Sequence, residues 1–109
     1  MFLTGLASAT PPTRYTKAEC LAAFEASEWY DRLDARAHLI ARAVLRRDNG
    51  IEARRLAVDS LDQVFKIDPN SLAKRFLAQA PALASEAAAR ALAGAGFAPR
   101  QIDAVIVSS

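Results

Sequence analysis

Pro81 to Ser109 reads PALASEAAARALAGAGFAPRQIDAVIVSS, and its division into a helix, a turn and a strand sets the expected fold. Between Ala82 and Ala95 only Ser85, Glu86, Arg90 and Gly94 interrupt an Ala-rich apolar run. A helix that is apolar nearly all round belongs inside a protein or a membrane. The run is shorter than the roughly 20 residues a bilayer requires, and it carries charge, so the expectation is burial in protein. Glu86 and Arg90, one turn apart in the favourable order, mark the face that meets water. Gly94 and Gly96 supply left-handed positions to end the helix, and Pro99 opens the next turn. Ile102 to Val107, IDAVIV, is rich in β-branched residues and suits a strand covered on both faces, as in a parallel sheet. Such a strand needs more protein around it than 109 residues supply, so the chain reads as the front end of a larger fold.

Composition sets the outer bounds. The length allows one domain at most, burying somewhat over about 60% of its unfolded surface. Hydrophobic residues at 52% and charged residues at 24% are globular values, which excludes wholesale disorder. A net charge of +2 names no partner by itself. One cysteine, Cys20, excludes an internal disulfide and points to a reducing, cytoplasmic setting. The start, MFLTGLASA, has neither a basic flank nor an apolar run long enough for an export signal.

Further toward the amino terminus, Phe2 to Ala7 has the character of a strand, with Gly5 marking a close approach of another backbone and Pro11-Pro12 ending the ladder. Thr16-Lys17-Ala18-Glu19 is a capping box, flanked by Tyr15 and Cys20 as a staple, and it opens a helix that turns Leu21 and Phe24 inward and ends near Ser27. Cys20 reads as a packing residue, since no neighbour in sequence lowers its pKa. A second helix over 35–47 has an inward stripe of Ala37, Ile40, Ala41, Val44 and Leu45. Arg36, Arg42, Arg46 and Arg47 fill its remaining surface, where cations suit the C-terminal end of the helix dipole or, alternatively, an anionic ligand. His38 lies on that helix with no acid or thiol at ligand spacing and reads as a surface or packing residue. Asp48-Asn49-Gly50 is a turn, and the second half of Ile51 to Val58 reads as a short extended segment. The segment 59–68 has no clean period and reads as loop. Asp68 caps a further helix with Pro69 at its first position and Leu72, Ala73, Phe76, Leu77 and Ala80 inward, until Pro81 breaks it.

The chain holds no metal-ligand cluster, phosphate loop or nucleophilic triad. Its order of motifs, however, resembles a known family. FLTGLASATPP, DNGIEARRLAV and LASEAAARALAGAGFAPRQIDAVIVSS together look like the amino-terminal part of a type III polyketide synthase, the chalcone and stilbene synthase family, in its bacterial branch. The opening strand and capped helix match over Phe2 to Thr16, a "GI..R" element over Gly50, Ile51 and Arg54, and the last helix and strand over Leu83 to Ser109. The final element is shared with other thiolase-fold enzymes, including ketoacyl synthase III, which is the alternative reading. A stand-alone helical module that binds phosphate or nucleic acid through its arginines is the further one.

The resemblance implies an α/β chain over 1–109 that is the incomplete β-α-β portion of a thiolase-like fold, with extra helices inserted between two parallel strands, Phe2–Ala7 and Ala104–Ser108. It implies an acyltransferase whose cysteine, histidine and asparagine lie beyond Ser109, so the chain carries no catalytic residue and is inactive alone. The substrates implied are malonyl-CoA and an acyl-CoA starter, with no separate cofactor and no metal. The implied partners are the remainder of the polypeptide and a second copy in a homodimer, with no nucleic acid and no membrane. By neighbourhood to the "GI..R" element, Arg42, Arg46 and Arg47 are the expected coenzyme A contacts, with Arg36 a weaker one.

Overall fold

Thr16 shows how local chemistry starts the fold. In the computed structural model, which describes residues 1–108, its hydroxyl accepts from the Glu19 backbone at 3.2 Å while Glu19 accepts from the Thr16 N–H at 2.7 Å. The capping box therefore forms as its sequence dictates. The chain runs β1 (Arg14–Thr16), α1 (Lys17–Glu25), α2 (Glu28–Asp31), α3 (Ala35–Arg46), β2 (Ala53–Arg55), a 3₁₀ turn (Leu61–Phe65), α4 (Pro69–Ala95) and a second 3₁₀ turn (Pro99–Gln101). It forms two units, Pro11–Leu77 and Met1–Thr10 with the chain from Ala78 onward. The architecture is mostly helical with a two-stranded antiparallel sheet.

In the Pro11–Leu77 unit, β1 and β2 pair antiparallel in the register Arg14 to Arg55, Tyr15 to Arg54 and Thr16 to Ala53. The two arginines set opposite each other would repel, and each is drawn elsewhere. Arg14 pairs with Glu52 at 3.5 Å, and Arg55 donates to the carbonyls of Pro11 and Pro12 at 3.3 and 2.8 Å. Leu21 and Tyr30 are the buried residues at the centre. The Phe24 ring meets Tyr30 edge-on at 5.4 Å and stacks on Phe65 at 6.0 Å, while His38 stacks on Tyr30 at 4.2 Å. Trp29 closes the cluster by donating its indole N–H to the Phe65 carbonyl at 3.2 Å. Asp34 caps α3 through the Ala37 N–H at 2.7 Å, and Asp68 caps α4 through the Ser71 N–H at 2.9 Å, with Pro69 at the first helical position.

The other unit contains the segments expected as parallel strands, and it overturns that expectation. Neither Phe2–Ala7 nor Ala104–Ser108 forms a strand or joins a ladder, and no parallel pair occurs among the described residues. Ser109, the end of the IDAVIVSS motif, lies outside the described residues. The physical reason is the absence of partners: a strand gains its hydrogen bonds only from a neighbour, whatever its β propensity. Phe2 and Ile106 stand 92% and 94% exposed, as free as side chains in an extended peptide. The amino-terminal segment is held instead by α4. Gly5, Ala7 and Ala9 are half-buried and alternate with exposed Leu6 and Ser8. A Cβ on Gly5 would lie 2.5 Å from the Ala91 carbonyl oxygen and 3.0 Å from the Ala95 Cβ, so the close approach read from this glycine is real. Arg90, paired with Glu86 as its spacing requires, also donates to the Ser8 carbonyl at 3.1 Å.

Several helical expectations change as well. Pro81 does not break the chain's last long helix; α4 continues through it, with the Leu77 carbonyl losing its usual donor. The Ala-rich part of α4 is not enclosed: only a stripe of Leu83, Ala87, Ala91, Leu92 and Ala95 is half-covered. Leu72, Phe76 and Leu77, expected inward, are exposed. On α3 the covered stripe is Ala37, His38, Ala41 and Leu45, while Ile40 and Val44 face outward. The segment read as loop over 59–68 contains the 3₁₀ turn that brings Phe65 to the aromatic cluster. The end of α4 follows the sequence at Gly96 but not at Gly94, which is also expected to be left-handed and instead continues the helix. Gly96 at φ 74° is left-handed, and Phe97 and Gly96 donate back to the Leu92 and Ala93 carbonyls at 3.0 and 3.2 Å.

Candidate functional site

The arginines singled out on α3 have different local environments. Arg42 is committed within the fold: its Nε donates to Glu25 on α1 at 2.8 Å, and its guanidinium lies 5.9 Å from the centre of the Tyr30 ring. The hydrogen bond to Glu25, followed by the charge of that neighbourhood, raises its already high pKa further. Arg36, Arg46 and Arg47 have no carboxylate within ion-pair reach among the described residues. Arg47 is the C-cap of α3, and its carbonyl accepts from the Lys17 ammonium at 2.8 Å. A cation at that place satisfies one of the helix's orphan carbonyls and opposes its negative end.

Packing of α1 on α3 leaves a shallow groove of about 390 Å³ lined by Lys17, Ala18, Leu21, Ala22, Leu45 and Arg46. Its floor is aliphatic and two cations stand at its rim. Such a site suits an anion joined to an apolar chain: a phosphate or carboxylate for the cations, methylenes for the floor. Lys17 was not among the residues expected to bind. It is read from sequence as the first helical residue after a cap, and only the packing of α1 on α3 brings it beside Arg46. A second, smaller hollow of about 230 Å³ is lined by Ala23, Ala26, Ser27, Glu28, Asp62 and Phe65, and its rim is acidic. Hydrogen bonding from the Ser60 hydroxyl, with Lys66 at 3.7 Å adding its charge, holds Asp62 below the usual carboxylate range.

The remaining polar residues serve the scaffold. His38 Nε2 lies 2.7 Å from the Tyr30 carbonyl; a carbonyl only accepts, so Nε2 carries the proton and the imidazole acts as a packing donor. Cys20 is half-buried on α1. In the "GI..R" element Gly50 takes the left-handed conformation at φ 75° and Arg54 lies in β2 opposite Tyr15. Among the described residues no three His, Cys, Asp or Glu side chains come together as a metal site, and no helix is long and apolar enough to cross a membrane. Compared with known proteins, the chain matches no protein-family profile, no curated protein and no solved structure.

Proposed function

We propose that this chain is the amino-terminal part of a decarboxylating acyltransferase of the type III polyketide synthase kind, with a thiolase-like fold, in which it serves as scaffold and as part of the coenzyme A surface. The observation that carries the second role is the groove between α1 and α3, where Lys17 and Arg46 stand over an aliphatic floor. Coenzyme A joins phosphates to a pantetheine chain, the combination such a groove favours. The order of FLTGLA, DNGIEARRLAV and IDAVIVSS supports the family. The exposure of Phe2 and Ile106 is what apolar segments show when the remainder of a polypeptide covers them.

In this reading the chemistry belongs to residues beyond Ser109. A cysteine thiolate there takes the acyl group from its thioester, and histidine and asparagine donors stabilise the oxyanion as malonyl units decarboxylate and condense. Arg46, with Arg47 beside it and Lys17 opposite, holds phosphate oxygens away from the reacting carbon. Arg42 contributes by fixing α1 to α3 through Glu25. The complete enzyme works as a homodimer in the cytoplasm.

Titration of coenzyme A and of dephospho-coenzyme A against the chain tests the groove. Arg46→Ala is expected to weaken coenzyme A binding about ten- to a hundredfold, equivalent to about 1.5–3 kcal/mol for hydrogen bonds to a charged group. In the complete enzyme the same variant raises KM for malonyl-CoA and leaves kcat nearly unchanged, the sign of lost uniform binding. Equal affinity of wild type and Arg46→Ala would remove the groove from the proposal. A reading frame continuing past Ser109 without the nucleophilic cysteine would remove the enzyme assignment.

A further inference from the structure

α3 carries two apolar stripes, and only one has a partner. Ala37, Ala41 and Leu45 are half-covered in the Pro11–Leu77 unit, whereas Leu39, Ile40 and Val44 stand 71%, 54% and 56% exposed on two successive turns. Ala43, a small residue, lies on the same exposed face among Leu39, Ile40 and Val44, and a small residue set among larger ones is the pattern that admits a side chain from a facing helix. The charge around the stripe has one sign. From Ala35 to Arg47 there is no acidic residue. Arg36 is one turn from Leu39 and Ile40, Arg46 and Arg47 stand at the other end, and none of the three pairs with a carboxylate among the described residues. Arg42, the one arginine in the middle of the helix, is spent on Glu25.

We propose that this face of α3 docks an amphipathic helix of a partner protein that presents an apolar ridge flanked by aspartate or glutamate. The uncompensated arginines select acidic flanks, and the aliphatic stripe with the small Ala43 among its larger residues selects a helical ridge. A lipid surface fits less well: the exposed face has no tryptophan, tyrosine or phenylalanine to sit at headgroup level, and its free cations lie at the helix ends rather than along its length. A face of one short helix buries less than a standard interface, so the contact is transient. The inference is independent of the coenzyme A reading, because its key residues, Arg36, Leu39, Ile40 and Val44, do not line the α1–α3 groove.

The test is backbone-amide NMR of the labelled chain titrated with two synthetic helical peptides, one a leucine ridge flanked by glutamate, the other the same ridge flanked by lysine. The glutamate peptide is expected to shift amides over residues 36–47 and to bind at least tenfold tighter than the lysine peptide. Ile40→Asp should abolish binding with the melting temperature kept, since that side chain is already exposed. Arg36→Glu should narrow or reverse the preference between the peptides. Equal affinity for both peptides, no binding of the glutamate peptide at millimolar concentration, or shifts confined to other elements would overturn the proposal. Tighter association with phosphatidylserine-containing vesicles than with the glutamate peptide would overturn it in favour of a membrane surface.

Discussion

The Pro11–Leu77 unit and the unit formed by the two ends of the chain contain similar raw material and use it differently. The first gathers Phe24, Tyr30, His38, Trp29 and Phe65 around a small aromatic centre, and caps its helices with Thr16, Asp34 and Asp68. The second holds the most β-prone sequence in the chain and leaves it open, with Phe2, Leu3, Leu6, Val105, Ile106 and Val107 all highly exposed. The difference is one of where the partners are. A capped helix satisfies its backbone within itself and needs only one side covered, while a strand is incomplete until another strand lies beside it.

The largest test of that contrast sets Tyr30 against Ile106. Tyr30→Ala removes the ring shared by Phe24, His38 and Arg42 and should cost about 3–5 kcal/mol of stability in denaturant unfolding, as large core truncations do. Ile106→Ala removes a side chain of similar apolar content that touches water, and should change stability by less than about 0.5 kcal/mol. A comparable loss at Ile106 would mean that the open segment is covered in solution, and the contrast would fail.

Gly5→Ala examines the closest contact that holds the amino-terminal segment on α4. The added methyl group meets the Ala91 carbonyl and must push the segment off α4, at a cost of about 1–3 kcal/mol typical of overpacking. Faster hydrogen exchange of amides over residues 87–95 would register the loosening. An unchanged exchange pattern would show that the segment does not rest on the helix.

Smaller effects concern the caps. Thr16→Ala should destabilise α1 by about 1 kcal/mol, measured as a lower melting temperature. The carboxylates of the caps also give acid sensitivity a definite sign. Backbone and side-chain hydrogen bonds from Thr16 hold Glu19 below the usual carboxylate range, and hydrogen bonds from the Ser71 side chain and backbone do the same for Asp68. A depressed carboxylate binds fewer protons folded than unfolded, so its contribution is complete above about pH 4–4.5 and disappears as pH falls through the lowered values. Circular dichroism during acid titration should therefore show helix loss beginning below that range. Asp68→Asn, which keeps a capping oxygen but cannot titrate, should flatten part of the slope; an unaltered slope would place the acid sensitivity elsewhere.

Local codes in this chain proved legible wherever the partner lies a few residues away. The capping box at Thr16, the cap at Asp68 with Pro69, the Glu86–Arg90 pair and the left-handed Gly96 were all readable because each completes its own geometry within one turn. Gly5 was readable too, since a glycine among small residues leaves room for a backbone. The stripe on α3 was legible only in part: an apolar periodicity assigns residues to a helix but does not say how wide a face is covered. Ala37, Ala41 and Leu45 turned inward while Ile40 and Val44 did not. Of the arginines, sequence named Arg42, Arg46 and Arg47 together, and only the packing of α1 on α3 separated Arg42, bound to Glu25, from Arg46 beside Lys17.

By itself the sequence determined where α1, α3 and α4 start, the stop of α4 at Gly96, the turn at Asp48-Asn49-Gly50, and the β-prone character of FLTGLA and IDAVIV, because these depend on torsional preference and short-range hydrogen bonds. The tertiary structure alone decided which strands exist. Arg14–Thr16 and Ala53–Arg55, three residues each and rich in arginine, form the sheet because the chain brings them side by side, while the far more β-prone IDAVIV has no neighbour to pair with. Propensity states what a segment would do beside a partner; the presence of the partner is a property of the whole fold.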